Sequence, residues 1–565
     1  MRILLLTHAF NSLTQRLGEE LRRRGHDISV EFDIADKVTE EAVDLFRPQL
    51  IVAPYLRRAI PESVWSRHIC LVVHPGVVGD RGPSALDWVI QEGMAEWGVT
   101  VLQAEAEMDA GPVWASTNFP LRAKKKSSIY RNEVTQAATT AVLRAVERVT
   151  AGNFQPNRPV TSWWRPLMKQ DKRIIDWLHD DTATVLRKID AADGSPGVAD
   201  HLFDQACHLF DTWPEATLRG KPGAVIARRE TALLRATVDG AVWIGHVKCA
   251  DSIKLPVTLA FAHESLSVAE APLQGWWRVN SATWQDIAYE EDGQVGFLHF
   301  EFYNGAMSTV QCERLREALV WAKQRPVRVL VLMGGADFWS NGIHLNVIEA
   351  ASLGNGSAAD ESWRNINAMN DLALELITTT QQFTVAALGG NTGAGGCFLA
   401  RAADLVWARD AVILNPHYKN MGNLYGSEYW SYLLPRRVGA ELTSAIMHDR
   451  QPMTAQRAVD IGFIDVCLEG DAEVFRSEVA RRAAELAAAT DFAEKIAVKR
   501  ETRALDEAAK PLAAYRAEEL ACMRRNFYGF DPSYHVARHH FVRKSPASWT
   551  PRHLARHRDL GWTTP

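Results

Sequence analysis

The sequence predicts an α/β protein: two α/β domains with a small β-rich domain between them. Three observations carry that prediction. Strand and helix signals alternate over residues 1–155, short alternating runs broken by Gly and charged turns occupy 170–272, and a second αβ pattern fills 280–545. A chain of 565 residues is long enough for two to four domains, each with its own core.

Within the first domain, Arg2–His8 reads as a buried strand, and a helix opens at Asn11/Ser12 and stops at Gly25. His26–Ile34, Gln49–Pro54 and Cys70–His74 follow as strands, with helices at Pro83–Gly93 and Ser127–Gly152. Such βαβ alternation implies a mainly parallel sheet covered on both faces, with the chemistry beyond the carboxyl ends of its strands. His74 stands at that place, directly after Leu71-Val72-Val73. Asn153–Pro166, rich in Pro, Asn and Trp, reads as a linker. The runs Ala224–Arg228, Ala232–Ala236 and Ala241–Val247 suggest a small β-barrel or sandwich. Beyond Pro272–Asn280, strands are expected at Val295–Phe302, Arg328–Gly334, Thr384–Leu388 and Leu405–Ala408, and long Ala/Arg/Glu-rich helices over 440–525.

Composition narrows the function classes. A hydrophobic fraction of 47% with 23% charged residues is that of a folded globular protein, which excludes a disordered chain. The formal net charge of −5 supplies no basic field for nucleic acid or anionic lipid, and Lys124-Lys125-Lys126 reads as a solvated loop. No run approaches the ~20 apolar residues of a membrane span. The seven cysteines form no CxxC pair and no His/Cys metal spacing, so reduced thiols and no metal are expected. The amino-terminal residues lack the pattern of a signal peptide, and a cytoplasmic location is the expectation.

One constellation in the first domain joins His74-Pro75-Gly76, Arg81-Gly82-Pro83-Ser84-Ala85-Leu86-Asp87-Trp88 and Met108-Asp109-Ala110-Gly111-Pro112. A histidine and a carboxylate are the residue types of a proton acceptor working near neutrality and the group that poises it, and His74 and Asp109 are candidates for those roles. These segments resemble the formyltransferases that use 10-formyltetrahydrofolate. The resemblance continues through Asp171–Trp177 and Gly194–Gly197 into the small barrel, OB-like domain of that family. It implies a folate site formed by Gly76, Arg81, Gly82, Ser84, Asp87, Trp88 and Gly111 around His74 and Asp109. In that family an Asn lies two residues before the His and donates to the formyl oxygen; here the position is Val72. Such a donor is commonly worth about 3 kcal/mol of barrier. Amine formylation is therefore disfavoured, and a thiol acceptor, easier to ionise and intrinsically nucleophilic, tolerates the loss better.

The last domain carries Asp337–Leu345, Gly389–Cys397, Asn415-Pro416 and Leu434–Gly439 in order. These resemble the crotonase (enoyl-CoA hydratase/isomerase) family, and the resemblance implies that the backbone N–H groups of Ile343 and Gly395 hold a thioester oxygen. Phe398 and His417 occupy the places of that family's catalytic glutamates, so hydration of a double bond is not expected. Tyr418 and Glu428, in the segment walling the acyl pocket, are the expected acid/base pair; the competing reading pairs Glu428 with Arg436 or Arg437. Arg436, Arg437, Arg543 and Lys544 are candidate ligands for coenzyme A phosphates.

Together the halves resemble a family of [NiFe]-hydrogenase maturation proteins. That resemblance implies formyl transfer from 10-formyltetrahydrofolate to coenzyme A, then decarbonylation of formyl-CoA to CO, with other maturation proteins receiving the CO. Within a shared dry interior, the coenzyme A thiol is expected to reach His74 and the formyl thioester to occupy the pocket around Tyr418 and Glu428. Two alternatives stay open: a folate enzyme with a non-catalytic CoA-binding or docking module, and a formyltransferase acting on a small amine. Val72 and the absence of a nucleotide-sugar reductase domain weigh against the second.

Overall fold

The computed structural model describes residues 1–559. The chain forms two compact units: Met1–Ala250 with Pro256–Glu270 and the segment from Pro546 onward, and Asp251–Leu255 with Ala271–Ser545.

The first unit is built on a six-stranded sheet in the order Asp27–Phe32, Arg2–Thr7, Leu50–Tyr55, Cys70–His74, Glu96–Gln103, Val113–Pro120. The first four strands are parallel; the last two run antiparallel as a hairpin edge. Side-chain alternation divides each parallel strand between two cores. Ile3 and Leu5 pack with Ala137, Ala138, Ala141 and Val142 of helix Thr135–Ala151, while Leu4 and Leu6 pack with Ala42, Val43 and Val64 on the other face. Two covered faces are why these strands read as unbroken apolar runs.

The sequence expectation of a single helix over Ser127–Gly152 meets a local widening. Lys126–Ile129 is α-helical, Tyr130–Val134 is a π turn, and Thr135–Ala151 resumes the α-helix up to Gly152 at φ 68°. The linker expected at Asn153–Pro166 is tied down rather than free. Trp163–Trp164 pairs in parallel with Asp80–Arg81, and the Asn157 carbonyl accepts from Val113 N–H at 2.9 Å.

The segment beyond Pro546 covers the edge strand Asp27–Phe32. The Val30 N–H donates to Leu554 O at 3.0 Å and Phe32 N–H to Thr550 Oγ1 at 2.9 Å, while Glu31, fully buried, accepts from His557 at 2.9 Å and Arg558 at 2.7 Å. An exposed strand edge would otherwise offer unpaired backbone groups to another chain.

The second domain of this unit is an antiparallel sheet in the order Val225–Arg229, Ala232–Ala236, Ala241–Cys249, Gln205–Glu215, Val198–Leu202. It closes over helix Thr182–Ala192 through Val185 and Ile189.

The second unit has a six-stranded sheet (Ile287–Asp292, Val295–Phe300, Val329–Met333, Phe383–Leu388, Leu405–Arg409, Val466–Leu468) and a four-stranded one (Phe338–Ser340, Asn391–Gly393, Ile413–Asn415, Met453–Thr454). Helix Thr309–Ala322, unassigned from sequence, begins with a capping box in which Ser308 and Gln311 satisfy one another's backbone N–H groups. That Ser-x-x-Gln signature is legible in the sequence. Helices Ala358–Ile377, Trp430–Asp449 and Leu512–Tyr528 enclose the core that holds Tyr418, Tyr429 and Phe398. Among the described residues no helix is long and apolar enough to cross a membrane.

Candidate active sites

In the first unit, His74 ends strand Cys70–His74, with Val72 two residues back and so on the same face. Its Nε2 lies 2.9 Å from Asp80 Oδ2, and its Nδ1 lies 3.4 Å from Asp109 Oδ2. The Asp80 side chain has no solvent exposure, whereas Asp109 keeps 11%, so the open approach to the ring is from the Asp109 side. Asp80 also accepts from Trp163 Nε1 at 3.1 Å and pairs with Arg165 Nε at 3.0 Å. The expected linker is thus a strap whose polar atoms fix the carboxylate that fixes the histidine. Asp109 is held by the Gly82 N–H at 3.1 Å and adopts φ 54° in the turn before Val113–Pro120.

The glycine at 76 is required by close packing. A Cβ there would stand 2.3 Å from His74 Nε2 and 2.5 Å from Asp80 Oδ2. Of the expected folate residues, Gly76, Gly82 and Arg81 adjoin His74 and Asp109; the Arg81 guanidinium donates to Met108 O at 3.1 Å and to Glu107 Oε1 at 2.6 Å. Gly111 lies two residues from Asp109, where a Cβ would strike Gln103 O at 1.8 Å. Ser84, Asp87 and Trp88 instead hold the strap and the residues just beyond it. Ser84 Oγ accepts from Met168 N–H at 3.1 Å, Asp87 is bound by Lys126 at 3.0 Å and Arg173 at 2.5 Å, and Trp88 Nε1 donates to Pro166 O at 2.8 Å.

Sequence reasoning missed Asp80. The signal was a carboxylate in the turn Gly79-Asp80-Arg81-Gly82, six residues after the histidine, and its value depends on Trp163 and Arg165, which are remote in sequence.

In the second unit, the two glycine-bearing turns adjoin. A Cβ on Gly342 would come within 3.3 Å of Gly395 N, and strand Phe338–Ser340 pairs in parallel with Asn391–Gly393. Gly395 opens helix Gly395–Arg401, where first-turn N–H groups have no intrahelical acceptor. Ile343 follows Gly342 and bridges to Met307.

Tyr418 and Glu428 meet in this place. Tyr418 Oη donates to Glu428 Oε2 at 2.5 Å and lies 2.9 Å from Ser427 O, and Glu428 is 1% exposed. The same carboxyl presses on Gly395, since a Cβ there would be 2.7 Å from Glu428 Cδ and Oε1. Burial pushes the Glu428 carboxyl up to about 8, against the lowering effect of the Tyr418 bond. Burial also raises the Tyr418 phenol well above its ordinary range, followed by the neighbouring Glu428 charge. Phe398 stacks on the Tyr418 ring at 5.5 Å and 14°, covering it with an apolar face. His417 is buried next to them, while Tyr425 is exposed.

The competing pairing of Glu428 with Arg436 or Arg437 does not occur. Arg436 pairs with Asp506 at 2.7 Å and Arg437 with Asp465 at 2.5 Å. Arg543 is bound to Glu349, which is buried and also held by Arg538 at 2.8 Å, and Lys544 ends helix Ser533–Arg543 in a left-handed conformation. Three of the four cations expected on coenzyme A phosphates therefore already serve carboxylates of the fold.

Family models match three parts of the chain: formyl transferase over residues 27–146, formyl transferase, C-terminal domain over 167–263, and enoyl-CoA hydratase/isomerase over 302–552. Hydrogenase maturation factor HoxX of Bradyrhizobium diazoefficiens is 55% identical over 565 residues, covering 99% of this chain and 97% of that protein. Methionyl-tRNA formyltransferase of Dechloromonas aromatica is 26% identical over 225 residues, 39% of this chain and 72% of that protein. Among solved structures, HypX from Aquifex aeolicus in complex with tetrahydrofolic acid superposes with a TM-score of 0.96 at 48% identity, covering 100% of both chains.

Proposed function

This chain belongs to the HypX/HoxX family of hydrogenase maturation factors, and from that premise we propose that it makes CO from 10-formyltetrahydrofolate by way of formyl-CoA. The carrying observation is the Tyr418–Glu428 pair, buried and pressed against Gly395 at the start of helix Gly395–Arg401, within the part of the chain that matches enoyl-CoA hydratase/isomerase.

In the first half-reaction the formyl carbon leaves the folate nitrogen and joins the coenzyme A sulfur. Asp80 holds the Nε2 side of the His74 ring. That leaves Nδ1, on the Asp109 side, to take the thiol proton, which Asp109 then accepts in a hydrogen bond and which is returned to the folate nitrogen as its bond to carbon breaks. Gly76 and Gly82 keep backbone rather than side chain beside the reacting groups. The folate-bound state of the Aquifex aeolicus relative supports tetrahydrofolate as the carrier.

In the second half-reaction formyl-CoA becomes CO and coenzyme A. The thioester is positioned by the Ile343 and Gly395 N–H groups. Glu428 takes the formyl proton, the carbon–sulfur bond breaks, and Tyr418 gives its phenolic proton to the sulfur. The 2.5 Å Tyr418–Glu428 bond then returns the proton from carboxyl to phenolate, so the pair ends as it began. No hydroxyl is added, which fits Phe398 and His417 in place of a hydratase's two carboxylates. In this reading CO supplies the hydrogenase iron through other maturation proteins, and the chain works in the cytoplasm.

Incubation with labelled 10-formyltetrahydrofolate, with and without coenzyme A, tests the proposal when CO is trapped on reduced haemoglobin. Label is expected in CO only when coenzyme A is present. Phe398 and His417 favour a second reading, a crotonase unit that binds without catalysing, and that reading expects formyl transfer or hydrolysis with no CO.

A further inference from the structure

The segment carrying Glu428 has an unusual backbone. Glu428 and Tyr429 both have φ 60°, two successive non-glycine residues in the left-handed region. Side chains there are crowded by their own backbone, so such a conformation persists only where the surroundings hold it. Two buried residues from different helices do so. Asn370, on helix Ala358–Ile377, accepts from the Glu428 N–H at 2.8 Å and from Ser427 Oγ at 2.6 Å through one oxygen. Glu519, on helix Leu512–Tyr528, accepts from the Tyr429 N–H at 3.0 Å, the Ser431 N–H at 2.9 Å and Ser431 Oγ at 2.5 Å. Asn370 is fully buried and Glu519 is 1% exposed.

Both are expensive choices for a merely structural tie. The Asn370 amide nitrogen is buried with no acceptor among the described residues, so the residue serves through its oxygen. Glu519 brings a second carboxylate into the neighbourhood of Glu428; burial pushes its carboxyl up to about 7, and its charge in turn helps hold Glu428 up. The titratable groups around Glu428 are Tyr418, with His417 adjacent to it in sequence, Glu519, and Cys312 on helix Thr309–Ala322. Arg516, on the Glu519 helix, is paired with Asp371 at 2.6 Å.

We propose that Asn370 and Glu519 are positioning residues for decarbonylation: together they clamp the left-handed turn that presents Glu428. The Glu519 carboxylate, bonded to the backbone of the residue directly after Glu428, also bears on the proton that Glu428 holds. This rests on the reading of Glu428 as the base for formyl-CoA, and the variants separate the two ideas.

The experiment follows CO release from supplied formyl-CoA against pH in full-length protein, with thermal melting as the check on folding. Glu519→Gln keeps one acceptor oxygen but removes the charge. Its rising pH limb is expected to move down by about one unit, and its plateau to fall by about tenfold as the turn loosens. Asn370→Ala is expected to lower the plateau by a similar factor, about tenfold, with the limb unmoved. Formyl transfer from folate should be unchanged in both. A folded Glu519→Gln protein with the wild-type rate and profile would overturn the proposal. So would an equal loss at every pH with no shift of the limb, which would make Glu519 only a helix cap. An unchanged rate in Glu428→Gln would instead remove the base itself, and with it the functional reading.

Discussion

His74 Nε2 and Asp80 Oδ2 lie 2.9 Å apart, both out of solvent, and the same carboxylate is tied to Trp163 and Arg165 of a segment more than eighty residues further along. The histidine is thus oriented from behind by a buried acid, while Asp109 faces it from the open side. Formyl transfer to coenzyme A should depend on both.

Replacing Asp80 by Asn removes the fixed acceptor for Nε2 and lets the ring present the wrong nitrogen. Transfer of labelled formyl to coenzyme A should fall by about 10²-fold, while CO release from supplied formyl-CoA stays at the wild-type rate. Loss of both activities together would show that Asp80 only supports folding.

A methyl group at position 395 would collide with the Glu428 carboxyl. Gly395→Ala puts Cβ 2.7 Å from Glu428 Cδ, and carboxyl and helix start cannot both keep their places. The expected result is CO release lowered by about 10²-fold or more, with formyl transfer retained. Tyr418→Phe should give the same pattern by removing the proton donor for the sulfur. Unchanged CO release in the Phe variant would take Tyr418 out of the mechanism.

The pH dependence has two opposite signs. With Glu428 as the proposed base, and burial pushing its carboxyl up to about 8, CO release should rise with pH and level off above that point. Stability should do the reverse. Glu428 and Glu519, at about 8 and about 7, bind protons in the folded state that the unfolded chain, with ordinary carboxyls near 4.5, has released. The folded state therefore loses stability as pH rises through that window. Denaturant melts of wild type and Glu428→Gln between pH 5 and pH 8, values of roughly the span over which stability is usually greatest, check this: the decline should be shallower in the variant.

Glu31 anchors the segment beyond Pro546 to the first unit. Burial raises its carboxyl, but the bonds from His557, Thr550 and Arg558 outweigh burial and leave it below the ordinary range. Glu31→Ala takes the buried acceptor away from His557 Nε2 and Thr550 Oγ1, while Arg558 keeps Glu41 and His557 Nδ1 keeps Ser29. It should cost about 1–3 kcal/mol, the usual consequence of leaving a buried polar group unsatisfied. Limited proteolysis should then cut first near residues 546–558. Wild-type resistance would mean that Leu554 and the backbone bonds suffice.

Much of this was legible in the residues. Strand Cys70–His74 and strand Ala232–Ala236 stand where their apolar runs begin and end, because a strand covered on both faces leaves its boundary in the sequence itself. The pairing of Tyr418 with Glu428 was also readable, since both lie in one short loop. Hairpin Glu96–Gln103/Val113–Pro120 was not, because its edge strand is half exposed and its alternation weak. Cations expected on phosphate proved to be paired with Asp506, Asp465 and Glu349, partners too far along the chain for spacing to reveal.

By itself the sequence determined the order of domains, the strands that form each core and the short motifs that hold His74, Asp109, Gly395 and Glu428. Such features are set by local periodicity and by residues close in the chain. Only the tertiary structure decided that Asp80 sits behind His74, that the supposed linker is a strap, and that Asn370 and Glu519 grip the turn at Glu428. His74 and Asp80 are only six residues apart, but the strap that fixes Asp80 and the two residues that grip the turn lie tens of positions from what they hold. The hydrogen-bond geometry that makes these contacts, close to about 3 Å, depends on how helices and strands pack, which no spacing along a chain encodes.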